Sequence, residues 1–127
     1  MSKDAKCNGF LMTELVVAMA VLITVLACMA LSLKVFRGVN EYQLTRQRCI
    51  SGAQAQLDCI TVTGEPISEK DMQRLWPGMS VEIKQSDGSG QWQGLKLFKV
   101  RATAKAGHKD VTVELARYLA AERAGGQ

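Results

Sequence analysis

Glu14 is the residue of this chain whose surroundings most demand a chemical explanation. It stands at the head of residues 15–33, nineteen consecutive positions with no charged side chain, in which only Thr24 and Ser32 carry hydroxyls. Such a run matches the roughly 20 apolar residues with which a helix crosses the hydrocarbon of a bilayer. A carboxylate costs about 2.5–3.5 kcal/mol at the bilayer centre and less toward the interface. An acid in that position is a functional candidate that needs a named partner. Just before it Gly9 closes a short polar stretch and is followed directly by Phe10, so that Glu14 is the fifth residue counted from Phe10.

The remaining reactive side chains form no comparable constellation. Cys7, Cys28, Cys49 and Cys59 contain no Cys-x-x-Cys pair, and the single histidine, His108, does not complete a zinc set with them. Cys7 precedes the apolar run and Cys28 lies within it, which leaves Cys49 and Cys59 to meet an oxidising compartment. Ten residues apart on one helix, those two would be ~15 Å from each other, whereas a disulfide requires Cα atoms within about 7 Å. They are expected to be unpaired. His108 falls in a turn with no nucleophile or paired acid beside it. No combination of nucleophile, base and orienting group appears, so neither enzymatic activity nor a cofactor or metal is expected.

Charge narrows the choice of partners. In 127 residues, 16 lysines and arginines stand against 12 acids, too small an excess to argue for nucleic acid. Lys96, Lys99, Arg101 and Lys105 mark a basic strand face, for which cross-strand pairing with Glu82 and Glu114 is expected. Trp92 lies nearby, but one aromatic residue is not a stacking platform for bases.

The elements that must position these residues follow from periodicity. No proline occurs before Pro66, which allows one helix from about Phe10 to Ile60 with Gly38 and Gly52 as bending points. Its second half is amphipathic, with Val39, Tyr42, Cys49, Ile50, Ala53, Leu57 and Ile60 on one face, interrupted by Arg46. Gly64, Glu65 and Pro66 break it. A short helix then starts at Ser68 as N-cap, with Asp71 at the third helical position and Ile67 positioned to staple onto Met72, and ends at Trp76-Pro77-Gly78. Trp76 is expected to anchor the core. Three strands follow. Met79, Val81 and Ile83 alternate with Ser80, Glu82 and Lys84 in the first, and residues 86–90 form a turn. The second covers about 95–105, where Leu97 beside Phe98 predicts a bulge. After a turn at residues 106–110, Val111, Val113 and Leu115 mark the third, and the tail from Ala120 is expected to fray. The fold class is therefore α+β, a long N-terminal helix with a small three-stranded antiparallel headpiece.

Gly9, Phe10 and Glu14, ahead of a long apolar helix and a small antiparallel sheet, resemble the type IV pilin superfamily, which includes the pseudopilins of type II secretion. Leu11-Met12-Thr13 departs from the usual Thr-Leu-Ile, with the hydroxyl displaced. The resemblance implies a leader of residues 1–9, a transmembrane segment of residues 10–36, and an extracytoplasmic headpiece of residues 37–127. It implies cleavage after Gly9 by an inner-membrane prepilin peptidase, followed by N-methylation of Phe10. Glu14 of one subunit would then pair with the Phe10 amine of its neighbour, which fixes the stagger of helices in a filament. The implied partners are other pilin-like subunits, the peptidase and an inner-membrane assembly platform. The implied location is the inner membrane, single-pass with a periplasmic headpiece, and a filament after assembly.

Within that superfamily the chain is most similar to a minor pseudopilin of a type II secretion-like machine. It lacks the C-terminal cysteine pair of many major pilins and the acid-rich C-terminal loop of major pseudopilins, and it retains the Glu14 that tip subunits usually lack. The alternatives are a minor pilin of a DNA-uptake filament, a plain signal-anchor protein, and a lipoprotein processed at Cys28 within Val25-Leu26-Ala27-Cys28. Against the last, the apolar run continues through Met29-Ala30-Leu31, and Glu14 leaves residues 1–14 without net positive charge.

Overall fold

A computed structural model describes residues 4–120, with side chains from Gly9 onward. Residues 1–3 of the expected leader and residues 121–127 of the tail expected to fray lie outside the described residues; Ala120, expected to fray with them, is instead the last residue of a strand and pairs with Leu95. The chain divides into two compact units, Met1–Val39 and Asn40–Gln127.

Helix α1, Asp4–Thr63, runs through both. It starts six residues earlier than the expected Phe10, so Gly9 and Phe10 lie inside a helix rather than at its edge. It is uninterrupted through Gly38 and Gly52. Its end is fixed by Gly64, whose φ of 79° is left-handed and whose N–H donates to the Ile60 carbonyl at 3.0 Å. That is a single-bond left-handed cap, with Pro66 following where the helix can no longer continue.

In the first unit every side chain of residues 9–39 is exposed. The span Gly9–Thr63 contains a window long and apolar enough to cross a membrane. Its hydroxyls are satisfied within the helix: Thr24 Oγ1 donates to the Ala20 carbonyl and Ser32 Oγ to that of Cys28, both at 2.8 Å. Such back-bonding leaves no hydroxyl in need of a partner in hydrocarbon.

In the second unit α1 presents Cys49, Ala53, Leu57 and Ile60 to a core completed by Met72, Met79, Phe98, Val100 and Ala102. Gly52 lies among them because a Cβ there would stand 2.7 Å from Met79 Sδ; here the missing side chain serves close packing. Val39 and Tyr42, expected on the core face, are 53% and 40% exposed. The first buried residue on that face is Cys49.

Helix α2, Glu69–Leu75, starts as expected: Ser68 Oγ accepts from the Asp71 N–H at 3.3 Å and donates to Asp71 Oδ2 at 2.8 Å. Ile67 packs against the cluster that contains Met72, and Trp76 joins it half-buried. Strands β1 (Met79–Asp87), β2 (Leu95–Ala106) and β3 (Lys109–Ala120) form an antiparallel sheet in the order β1-β2-β3. The turn expected at residues 86–90 starts later, after Asp87, and includes a single 3-10 turn at Gly90–Trp92. No bulge occurs at Leu97, because pairing is continuous from Met79↔Ala104 to Asp87↔Lys96. Leu97 instead points outward beside Tyr118, its partner on β3.

Candidate functional site

The residues singled out by the sequence occupy two separate regions. Gly9, Phe10 and Glu14 lie on one helix, with Phe10 and Glu14 four residues apart and so one above the other on a single face. Phe10 is 74% exposed, and Glu14 is exposed. Among the described residues Glu14 has neither an ion-pair nor a hydrogen-bond partner, and it is the only charged residue from Gly9 to Leu33. Thr13, whose hydroxyl is displaced relative to the usual motif, uses it locally: Oγ1 donates to the Gly9 carbonyl at 3.0 Å. The carbonyl at the expected scissile bond is therefore held both by the helix and by a side chain.

Cys28 is an exposed free thiol in the middle of α1, Cys59 a half-buried one and Cys49 a buried one. Burial pushes the Cys49 thiol up, partly offset by a backbone hydrogen bond at Ala104. Its weak donor is directed at the Val111 carbonyl at 3.9 Å. Among the described residues no group of three or more His, Cys, Asp or Glu is gathered for a metal ion. His108 is exposed in the β2–β3 turn.

On the outer face of the sheet the alternation puts residues in rows. Glu82, Arg101 and Glu114 form one. Arg101 reaches Glu114 through Nε at 3.3 Å and Nη2 at 3.0 Å, and it approaches Glu82 at 3.8 Å. The Arg101 hydrogen bond holds the Glu114 carboxyl below the usual carboxylate range, aided by its charge and those of Lys99 and Lys84. The expected cross-strand pairing is therefore present, and the basic face is a mixed-charge one. Lys96 does not belong to it. Its register with Asp87 and Leu119 places it on the opposite face, with Phe98 and Val100.

The next row toward the β1–β2 loop aligns Lys84, Lys99 and Ala116, and the one after it Ser86, Leu97 and Tyr118. Trp92 reaches over from the loop and stacks on Tyr118, ring centroids 4.9 Å apart and planes 12° from parallel. The sequence by itself shows Trp92 only as a lone aromatic residue near the basic strand face. Period-two counting would have put Leu97 and Tyr118 on one face, but the loop's return onto that face is a tertiary feature. Protein-family models, curated proteins and solved structures were compared with the chain, and none of them matches.

Proposed function

We propose that this protein is a membrane-anchored, prepilin-like structural subunit, processed after Gly9 and assembled through Glu14 into a pseudopilus-like filament. Its place is that of a minor pseudopilin in type II secretion-like export. The observation that carries this reading is Glu14: one carboxylate, without a partner among the described residues of its own chain, one helical turn from Phe10 at the start of a helix fit for a bilayer. Cleavage after Gly9 converts Phe10 into an ammonium. Within one chain that ammonium and Glu14 are held by the helix; between chains, staggered packing brings the amine of one to the acid of the next. Two charges that nearly cancel in a poorly screened medium favour one register, since any other leaves both bare.

The structure adds a requirement to this reading. Gly9 lies inside α1, with its carbonyl engaged by Thr13, so the helix must open locally before a peptidase can act; cleavage is favoured where backbone is free. The proposed function lies in assembly rather than catalysis. Its partners are other pilin-like subunits, the prepilin peptidase and an inner-membrane assembly platform, with the headpiece in the periplasm. Nucleic acid is left out, because Arg101 and Lys99 face carboxylates across the sheet.

Glu14→Ala tests the reading. The variant should still be cleaved and should insert more easily, by up to a few kcal/mol. It should fail to join the filament, because removing one member of a buried pair costs about 3–5 kcal/mol. Subunit crosslinking and export activity are the measurements. A Glu14→Ala protein that assembles and functions like the wild type would reduce the helix to a plain anchor.

A further inference from the structure

Strand β1 forms one margin of the sheet, and two bonds at its first residue show how its backbone is turned. The Met79 N–H donates to the Trp76 carbonyl at 3.3 Å, and the Met79 carbonyl accepts from Gln73 Nε2 at 3.1 Å. Both groups therefore point away from β2. In an antiparallel ladder such residues alternate with those that bond the neighbouring strand. The far end of β1 keeps the same phase, since the Gly88 N–H donates to the Leu95 carbonyl of β2 at 2.8 Å. Ser80, Glu82, Lys84 and Ser86 thus bond β2, whereas Val81, Ile83 and Gln85 turn their N–H and C=O groups to the open side. None of those groups has a partner among the described residues. Edge strands are commonly blunted by a proline, a bulge, a covering element or an early end. Along its nine residues β1 has neither proline nor bulge, and Gln73 closes only its first position.

A groove runs beside this margin, between β1 and residues 66–73. Val81 and Ile83, both half-buried, line it from the strand, and Ile67 and Met72 belong to the facing wall. The residues whose backbone is open to one side therefore also offer apolar side chains, at the two-residue spacing of an extended chain. Glu69 is the only charged residue that lines the groove. It is exposed and has no ion pair among the described residues. Gln56 bonds both main-chain groups of Ile67, at 2.8 and 3.3 Å, so little freedom remains to be lost in that wall when a partner docks.

These features select an occupant. N–H and C=O groups that recur at every second residue complement an extended backbone, which neither a helix nor a small ion provides. The groove adds a demand for apolar side chains at alternate positions, and Glu69 one for a basic residue on the same face. A second headpiece fits this margin poorly. Its sheet carries α1 on the face that packs against the core, and at this margin residues 66–73 already stand on that face. A lone extended segment carries nothing there.

We infer that β1 is a strand-addition site for an extended segment of another polypeptide, apolar at alternate positions and basic opposite Glu69. The segment lies antiparallel, the more stable pairing per residue. Its main-chain bonds to Val81, Ile83 and Gln85 give affinity, and the groove selects its side chains. The site needs neither cleavage after Gly9 nor the pairing of Glu14, and so stands apart from the assembly proposed above.

The test uses the full-length chain in detergent micelles, the synthetic peptide Lys-Thr-Val-Thr-Val-Thr-Val-Lys, and residue-resolved hydrogen–deuterium exchange. In the chain alone the amides of Val81, Ile83 and Gln85 should exchange freely, and those of Ser80, Glu82 and Lys84 slowly. Peptide at about ten times its Kd should slow the first three roughly tenfold and leave the others unchanged. The same peptide N-methylated at its valines, whose N–H groups face β1 in this pairing, should slow none. Gln85→Pro is compatible with the folded edge, because the N–H it removes points outward and the side chain it replaces is exposed. It should weaken the peptide roughly two- to tenfold, as one lost hydrogen bond does. Glu69→Lys should weaken it roughly two- to five-fold, and glutamates in place of the peptide's lysines should restore the affinity, which excludes misfolding as the cause. Absence of saturable slowing, equal slowing by the N-methylated peptide, or slowing confined to β3 would each overturn the site. Slowing at Val81, Ile83 and Gln85 that grows with the concentration of the chain alone would give the margin to a second copy, and overturns it equally.

Discussion

Gln56→Leu should destabilise the headpiece by an amount that can be worked from two bonds. Gln56 is 2% exposed, the one buried polar side chain among the described residues. It clasps the backbone beyond the end of α1: the Ile67 N–H donates to Oε1 at 2.8 Å, and Nε2 donates to the Ile67 carbonyl at 3.3 Å. Both backbone groups lie outside any helix or strand and have no other partner among the described residues. A neutral bond contributes about 0.5–1.5 kcal/mol net, and a buried group left unpaired costs about 1–3 kcal/mol. Leucine returns apolar burial of a size comparable to that second cost, so the expected loss is about 1–3 kcal/mol. For a domain of this size each kcal/mol shifts the midpoint by about 4–8 °C, which gives a fall on the order of 5–20 °C. Thermal unfolding of the detergent-solubilised chain, followed by the fluorescence of half-buried Trp76, measures it. Gln56→Glu refines the test. Ionised, it keeps the acceptor for the Ile67 N–H but loses the donor to the carbonyl; protonated, it regains that donor. Its deficit should therefore shrink on acidification. A Gln56→Leu protein that unfolds at or above the wild-type temperature would refute the clasp.

Two further outcomes are expected. A membrane-impermeant thiol reagent applied from the periplasmic side should label half-buried Cys59 in the folded protein and Cys49 only after the headpiece is loosened with denaturant; labelling solely after lysis would reverse the proposed topology. Glu114, followed by NMR, should titrate below the ordinary carboxylate range and return to it in Arg101→Gln. Because its folded pKa is lowered, its stabilising contribution is fully present above the ordinary range and is lost as pH falls through the lowered value, so an unchanged titration in the variant would contradict the pairing.

The sequence conveyed most clearly what depends on short-range pattern. The apolar run, the Ser68 cap, the glycine stop at Gly64 and the alternation of β1 each follow from neighbours within a few residues, and each is present. Features that depend on distant partners are less legible. Leu97 beside Phe98 looked like a break in phase because its outward partners, Tyr118 and Trp92, come from another strand and a returning loop. Val39 and Tyr42 share the helical period of the core face, yet both stay exposed. Lys96 is a different case: it shares its charge with Lys99 and Arg101, but the local alternation of β2 puts it on the other face. Gln56 is polar within an apolar face, and nothing local reveals that Ile67 folds back onto it. Gly9, Phe10 and Glu14 were legible as a motif, yet the partner proposed for Glu14 belongs to another molecule.

The central claim is that the bond between Gly9 and Phe10 is cut and that Phe10 becomes the charged partner of Glu14. Intact-mass spectrometry of the protein extracted from its native membrane tests this most directly. The account predicts a chain that begins at N-methylated Phe10, with residues 1–9 removed. A chain that retains residues 1–9, or one that begins at a lipid-modified Cys28, would contradict it.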